Sequence, residues 1–223
     1  KTLSSDITVN KKLEIFENSG ALQAGDKTIT LKGDWENNAG INGFDRQTST
    51  VIFEGTAEQK VEASAGKENF YNVEIKNTSE KIEGVQMVDA DMNIFGGLTL
   101  TTGLIHPGEN LVHFQSGATS NEGNNDSYIN GKARKTWGEN TDLFVFPVGQ
   151  LKDTIDVYQP AGLTPQSSNA QFTVDYVHES YFPGTWVPGN SPPMASPLET
   201  VSGCDYWNIN RTGSSPGAKV RLY

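Results

Sequence analysis

Apolar side chains recur at every second position in short runs along the first half of this chain: Ile7/Val9, Leu13/Ile15, Ile29/Leu31, Val51/Phe53, Val73/Ile75, Val85/Met87, Leu98/Leu100 and Val112/Phe114. A period of two predicts half-buried β-strands, and helical spacing is nearly absent. Each run is closed by Gly, Asn or Asp, residues that accept the positive φ of tight turns. Short strands at short intervals leave two architectures in play. One is a β-solenoid, in which each coil stacks on the last; the other is a sandwich of hairpins packed face to face.

An internal similarity favours the solenoid for the first half. Asp6-Ile7-Thr8-Val9 is answered about 85 positions later by Asp91-Met92-Asn93-Ile94, as a repeat would be. Leu13 and Ile15 correspond to Leu98 and Leu100, and after a short slip Gly20, Leu22, Gly25, Ile29 and Leu31 fall on Gly103, Ile105, Gly108, Val112 and Phe114. What recurs is an apolar alternation between glycine turns, with no reactive group in it. The expectation is a repeat-bearing, parallel β-helix-like unit over residues 1–118. The patch Asp34 to Gly40 then reads as a turn between coils, with Trp35 at a coil edge covering a neighbouring turn.

From Ser116 to Asp126 the pattern breaks into Ser, Gly, Asn and Asp, so residues 119–127 read as a linker or long loop. Beyond it the texture changes. Tyr128 to Lys135 reads as a polar strand, and Leu143 to Gly149 as a continuously apolar one buried on both faces. Ile155/Val157, Phe172/Val174/Tyr176, Tyr206 to Ile209 and Val220/Leu222 supply further strands, and a proline-rich span from Phe182 to Pro197 can be neither helix nor central strand. Residues 128–223 are therefore expected to form a β-sandwich-like domain with one long crossing loop, truncated at its C-terminus. The chain is all-β in both halves.

Composition narrows the function. A formal charge of −10 and a pI near 4.7 disfavour nucleic acid and anionic bilayers as partners. Cys204 is the sole cysteine, which excludes an internal disulfide or a thiolate cluster, and His106, His113 and His178 form no zinc-type pair. No run approaches the roughly 20 apolar residues of a membrane span, so no membrane insertion is expected. With no initiator methionine or signal-like segment at Lys1, and a strand cut in mid-course at Tyr223, the chain reads as a piece of something longer.

An ordered set of short motifs carries a resemblance. Val51-Ile52-Phe53-Glu54-Gly55-Thr56, Gln59-Lys60-Val61, Phe70-Tyr71-Asn72-Val73-Glu74-Ile75 and Leu98 to Ile105 resemble the β-repeat regions of large secreted surface proteins of Bacteroidota. Tyr128-Ile129-Asn130-Gly131, Phe144 to Gly149 and Tyr206 to Arg211 are similar to the module that follows such repeats. The resemblance implies export by the type IX secretion system and display at, or release from, the cell surface, in proteins linked to adhesion or gliding. It implies flanking domains of the same polypeptide and the secretion machinery as partners. It brings no catalytic residue, and the family's C-terminal sorting domain is not in this chain.

Candidate chemistry is sparse. Glycoside hydrolysis needs two carboxylates about 5–10 Å apart, and Asp89 and Asp91 point to the same side if they share a strand, but the aspartate that recurs, Asp6 and Asp91, suits a turn that bonds backbone N–H groups. Glu122, Asn124 and Asp126 offer oxygens of the kind calcium prefers, without the regular loop order. His106 and Glu109 share a turn whose repeat equivalents are Gln23 and Asp26. Tyr181, Phe182 and Trp186, set among prolines and glycines, are candidate contacts for an extracellular glycan or protein, with Trp35 as a fourth. Asp153-Thr154-Ile155 resembles the O-glycosylation sites of these bacteria, while the sequons at Asn77 and Asn210 read as turns. The expected function is a stalk or spacer without enzymatic activity or cofactor; a glycan- or protein-binding module is second, and part of a polysaccharide-degrading enzyme third.

Overall fold

A computed structural model describes residues 1–179, 205–213 and 217–223. Every regular element among them is a strand, and the strands wind into stacked coils with three faces. The first sheet holds six parallel strands: Ile7–Val9, Thr28–Leu31, Thr50–Phe53, Asn72–Lys76, Gly97–Thr102 and Thr119–Ser120. The second begins Leu13–Ile15, Trp35–Asn37, Gln59–Ala63, Val85–Val88, Ile105–His106, Ile129–Asn130 and Val148–Lys152, again parallel. The third face starts as the pair Leu22–Gln23 and Phe44–Asp45 and resumes as Lys67–Phe70, Asp91–Ile94, Val112–Phe114 and Ala133–Thr136.

Register explains why this sequence stacks. Ile7 pairs with Ile29, Ile29 with Val51 and Val51 with Val73, one turn about every 22 residues, so like side chains lie over like in the interior. Ile29, Leu31, Val51, Phe53, Val73 and Ile75 are all fully or almost fully buried. Matching rows from the other two faces close a single core, in which Trp35 meets Phe44 and Phe70 edge-on at 4.7 and 5.1 Å. The repeat unit is thus one coil. The similarity at about 85 residues pairs unlike faces, since Ile7 lies in the first sheet and Met92 in the third, and Leu13 in the second and Leu98 in the first.

Polar side chains sew neighbouring coils together. Asp6 accepts the Thr28 amide at 2.9 Å, Asp34 that of Lys60 at 2.8 Å, Asn72 that of Gly97 at 3.0 Å and Asp91 that of Leu111 at 3.0 Å. The turn role expected of Asp6 and Asp91 holds, with the donor supplied by the next coil. At one corner Gly103 has φ +86°, and a Cβ there would lie 2.5 Å from the Asn77 carbonyl, so the chain can pass only as glycine.

Parallel stacking continues through the expected linker. Thr119–Ser120 pairs with Gly97–Leu98, Ile129 with Ile105, and Ala133, Arg134 and Lys135 with Val112, His113 and Phe114. Residues 128–135, expected as one strand, divide at the Gly131–Lys132 corner between the second and third sheets. The polar run is a coil corner, where exposed backbone needs turn formers as much as a linker does.

Antiparallel strands then end the stack. Gln171–Val177 pairs with Ala133–Thr136, and Tyr206–Thr212 pairs with Gln171–Val177. The second sheet closes with Ile155–Tyr158, and a separate sheet joins Phe144–Phe146, Ala161–Pro165 and Ala218–Leu222. The segment 143–149, expected as one strand buried on both faces, divides at Pro147 between the small sheet and the second sheet; residues 144–149 are buried without alternation, while Leu143 is 45% exposed.

Candidate functional site

Trp35 is not a ligand platform. It sits in a strand of the second sheet with no exposure, and its Nε1 donates to Glu68 Oε2 at 2.9 Å. The expected turn at Asp34–Gly40 contains this strand, and Asn37 is buried beside it, donating to the same Glu68 oxygen at 2.8 Å. The second Glu68 oxygen accepts the Asn69 amide at 2.9 Å. Burial raises the Glu68 carboxyl above its ordinary value, against the pull of these three donors. Residues 181, 182 and 186 lie outside the described residues, as do Cys204 and the proline-rich span, so the expectation for Tyr181, Phe182 and Trp186 stays with the sequence.

The loop at Glu122, Asn124 and Asp126 spends its oxygens on itself and its neighbours. Asn124 Oδ1 accepts the Asp126 amide at 2.7 Å, the Glu122 carbonyl accepts the Tyr158 hydroxyl, and Asp126 stands 3.4 Å from the Lys81 ammonium. No group of three or more His, Cys, Asp or Glu able to hold a metal ion occurs among the described residues.

Other candidates are structural in their contacts. His106 is buried, with Nε2 at 2.7 Å from the Lys81 carbonyl and Nδ1 at 3.0 Å from the Asn130 amide group, which assigns the neutral tautomer protonated at Nε2. Burial lowers its basicity in keeping with that state. Glu109, its partner in the turn, is fully exposed beside Lys132. Asp89 occupies an exposed turn at φ +52° while Asp91 bonds Leu111, so the two do not face a common cleft as a catalytic pair. Asn77 is buried and accepts the Ser79 amide at 2.9 Å, the turn expected of it; Asn210 lies instead within the strand Tyr206–Thr212. Asp153 and Thr154 form an exposed two-residue hairpin turn between Lys152 and Ile155.

Two arrangements were not legible in the sequence. Tyr128 and Lys81 converge on Asp156, the hydroxyl on one oxygen at 2.8 Å and the ammonium on the other at 2.7 Å. Burial works to raise Asp156, yet these two donors hold its carboxyl below the usual range. Lys135, only 4% exposed, donates to the carbonyls of Gln115 at 2.8 Å and Ala118 at 2.6 Å, and burial pushes its ammonium down to about 8. Its alternation along a polar strand gave no sign of burial; the signal lay in the partner strand, Val112–Phe114, which faces the core.

Among the described residues, Asp6, Asp34, Glu68 and Asp91 each spend a carboxylate oxygen on a bond to a neighbouring coil. Comparison with protein-family models, with curated proteins and with solved structures finds no match for this chain.

Proposed function

We propose that the chain is a structural stalk or spacer within a secreted or cell-surface protein, exported by type IX secretion and serving adhesion or display. One observation carries this reading: a single core runs through six parallel coils, and polar residues in it and at its edges bond one coil to the next. Backbone ladders along the stack resist extension while the sides stay polar, which suits a part that holds others apart. The antiparallel C-terminal strands act as its sandwich-like cap. Phe172 of the third sheet and Phe146 of the small sheet both pack on Trp137, at 6.1 and 6.2 Å, as in a two-layered end.

Single-molecule pulling between the two ends tests the stalk. A stalk unfolds in successive small steps, coil by coil, at forces well above those of its flanking linkers. Collapse in one low-force event, or turnover of a polysaccharide panel by the purified chain, overturns the reading. Fractionation of the producing cells tests surface display.

A further inference from the structure

Where the last parallel coil meets the antiparallel strands, a recess of about 390 Å³ opens between Ser116, Thr119, Lys135, Glu139, Asp142 and Phe144. Its most distinctive wall is Lys135. An ammonium has three N–H donors, and the carbonyls of Gln115 and Ala118 take two of them. No carboxylate among the described residues pairs with it, and its ammonium lies 5.1 Å from the centre of the Phe144 ring. A buried donor without an acceptor is costly. Glu139 and Asp142 lie exposed on the same recess and add acceptor oxygens.

We propose that this recess binds a single uncharged sugar residue. The volume lies within the range of about 300–1,000 Å³ usual for small-ligand sites. A hydroxyl is the group that suits both walls, because it accepts from the Lys135 N–H and donates to the Glu139 or Asp142 carboxylate. The C–H face of the ring then lies on the apolar side formed by Leu143 and Phe144. Anionic ligands meet two carboxylates on a chain of net charge −10. Apolar ligands leave the Lys135 donor unanswered. The site does not depend on the stalk reading.

Ligand-observed NMR titration of the full chain with glucose, galactose, N-acetylglucosamine and galacturonate tests the proposal. At least one neutral sugar saturates in the millimolar range and exceeds galacturonate. Thr119→Tyr, at an exposed strand position that tolerates an aromatic, fills the recess and abolishes binding while its melting curve stays at the parent's. Lys135→Met weakens binding about tenfold, the loss of one charge-assisted hydrogen bond. Absence of saturation by every neutral sugar, preference for galacturonate over galactose or survival of binding in Thr119→Tyr overturns the assignment. Should Lys135→Met fail to fold, Thr119→Tyr still decides.

Discussion

Trp35 and Glu68 are joined inside the core by an indole N–H to carboxylate bond of 2.9 Å, with neither side chain exposed to solvent. The carboxylate bridges the second face of one coil to the third face of the next, and every neighbour it bonds is a donor. Glu68→Ala takes the acceptor from the buried Trp35 and Asn37 donors and from the half-buried Asn69 amide, and is expected to cost about 3 kcal/mol. Urea denaturation checks this; a loss within about 0.5 kcal/mol, typical of surface changes, sinks the account.

The same carboxyl gives a pH signature. Its folded value is raised by burial, so the native state holds the proton more tightly than the unfolded chain. Its contribution is therefore most favourable below the unfolded value near about 4, declines as pH rises toward the folded value, and is flat above. Glu68→Gln cannot titrate, so the stability gap between parent and variant narrows as pH rises through that window. A gap that stays constant or widens contradicts the assignment.

Asp156 behaves oppositely. Held below its ordinary range, it stabilises the fold above the unfolded value and loses that contribution as pH falls through the folded one. Because Lys81 and Asp156 are each about a third exposed, Asp156→Asn is expected to cost less than ~1 kcal/mol globally. Its clearer effect is local: amide exchange in Val148–Tyr158 accelerates, while the first three coils exchange as before. Equal acceleration everywhere refutes a local clamp.

Asp91→Ala removes the side-chain acceptor of the Leu111 amide and should cost about 1 kcal/mol. Asp91→Asn keeps that oxygen, as Asn72 does toward Gly97, and is expected to be near neutral. Equal losses in the two variants would show that charge, not the inter-coil bond, is what matters there.

Core stacking sets the largest effects. Phe70→Ala opens a void beside Trp35, Phe44 and Phe53 and is expected to cost about 3–5 kcal/mol. Phe16→Ala, at a residue 61% exposed, changes stability by less than about 0.5 kcal/mol. Melting midpoints that rank the pair otherwise would show the core lies elsewhere.

Strand identity was legible because residues such as Ile29/Leu31 and Val51/Phe53 alternate in and out of the interior over their whole length. The period was not. All three faces of a coil read alike, as an apolar pair beside turn formers, so a sliding comparison can match Ile7 of the first sheet to Met92 of the third. Polar residues of the core misled for a related reason: Asn37, Glu68 and Lys135 find their partners on other coils or in turn carbonyls, which local pattern does not disclose. The recess beside Lys135 arises from residues spread over 116–144 and no motif announces it.

One irregularity in the winding has a wider meaning. Between Val73 and Leu98 the turn takes three residues more than the turns before it, and the register slips between Ile75 and Lys76. The bend holding Ile82, 59% exposed, lies within that turn, between the strands Asn72–Lys76 and Val85–Val88. Bends of this kind are where such a molecule can lengthen over generations, acquiring new surface without renegotiating its interior.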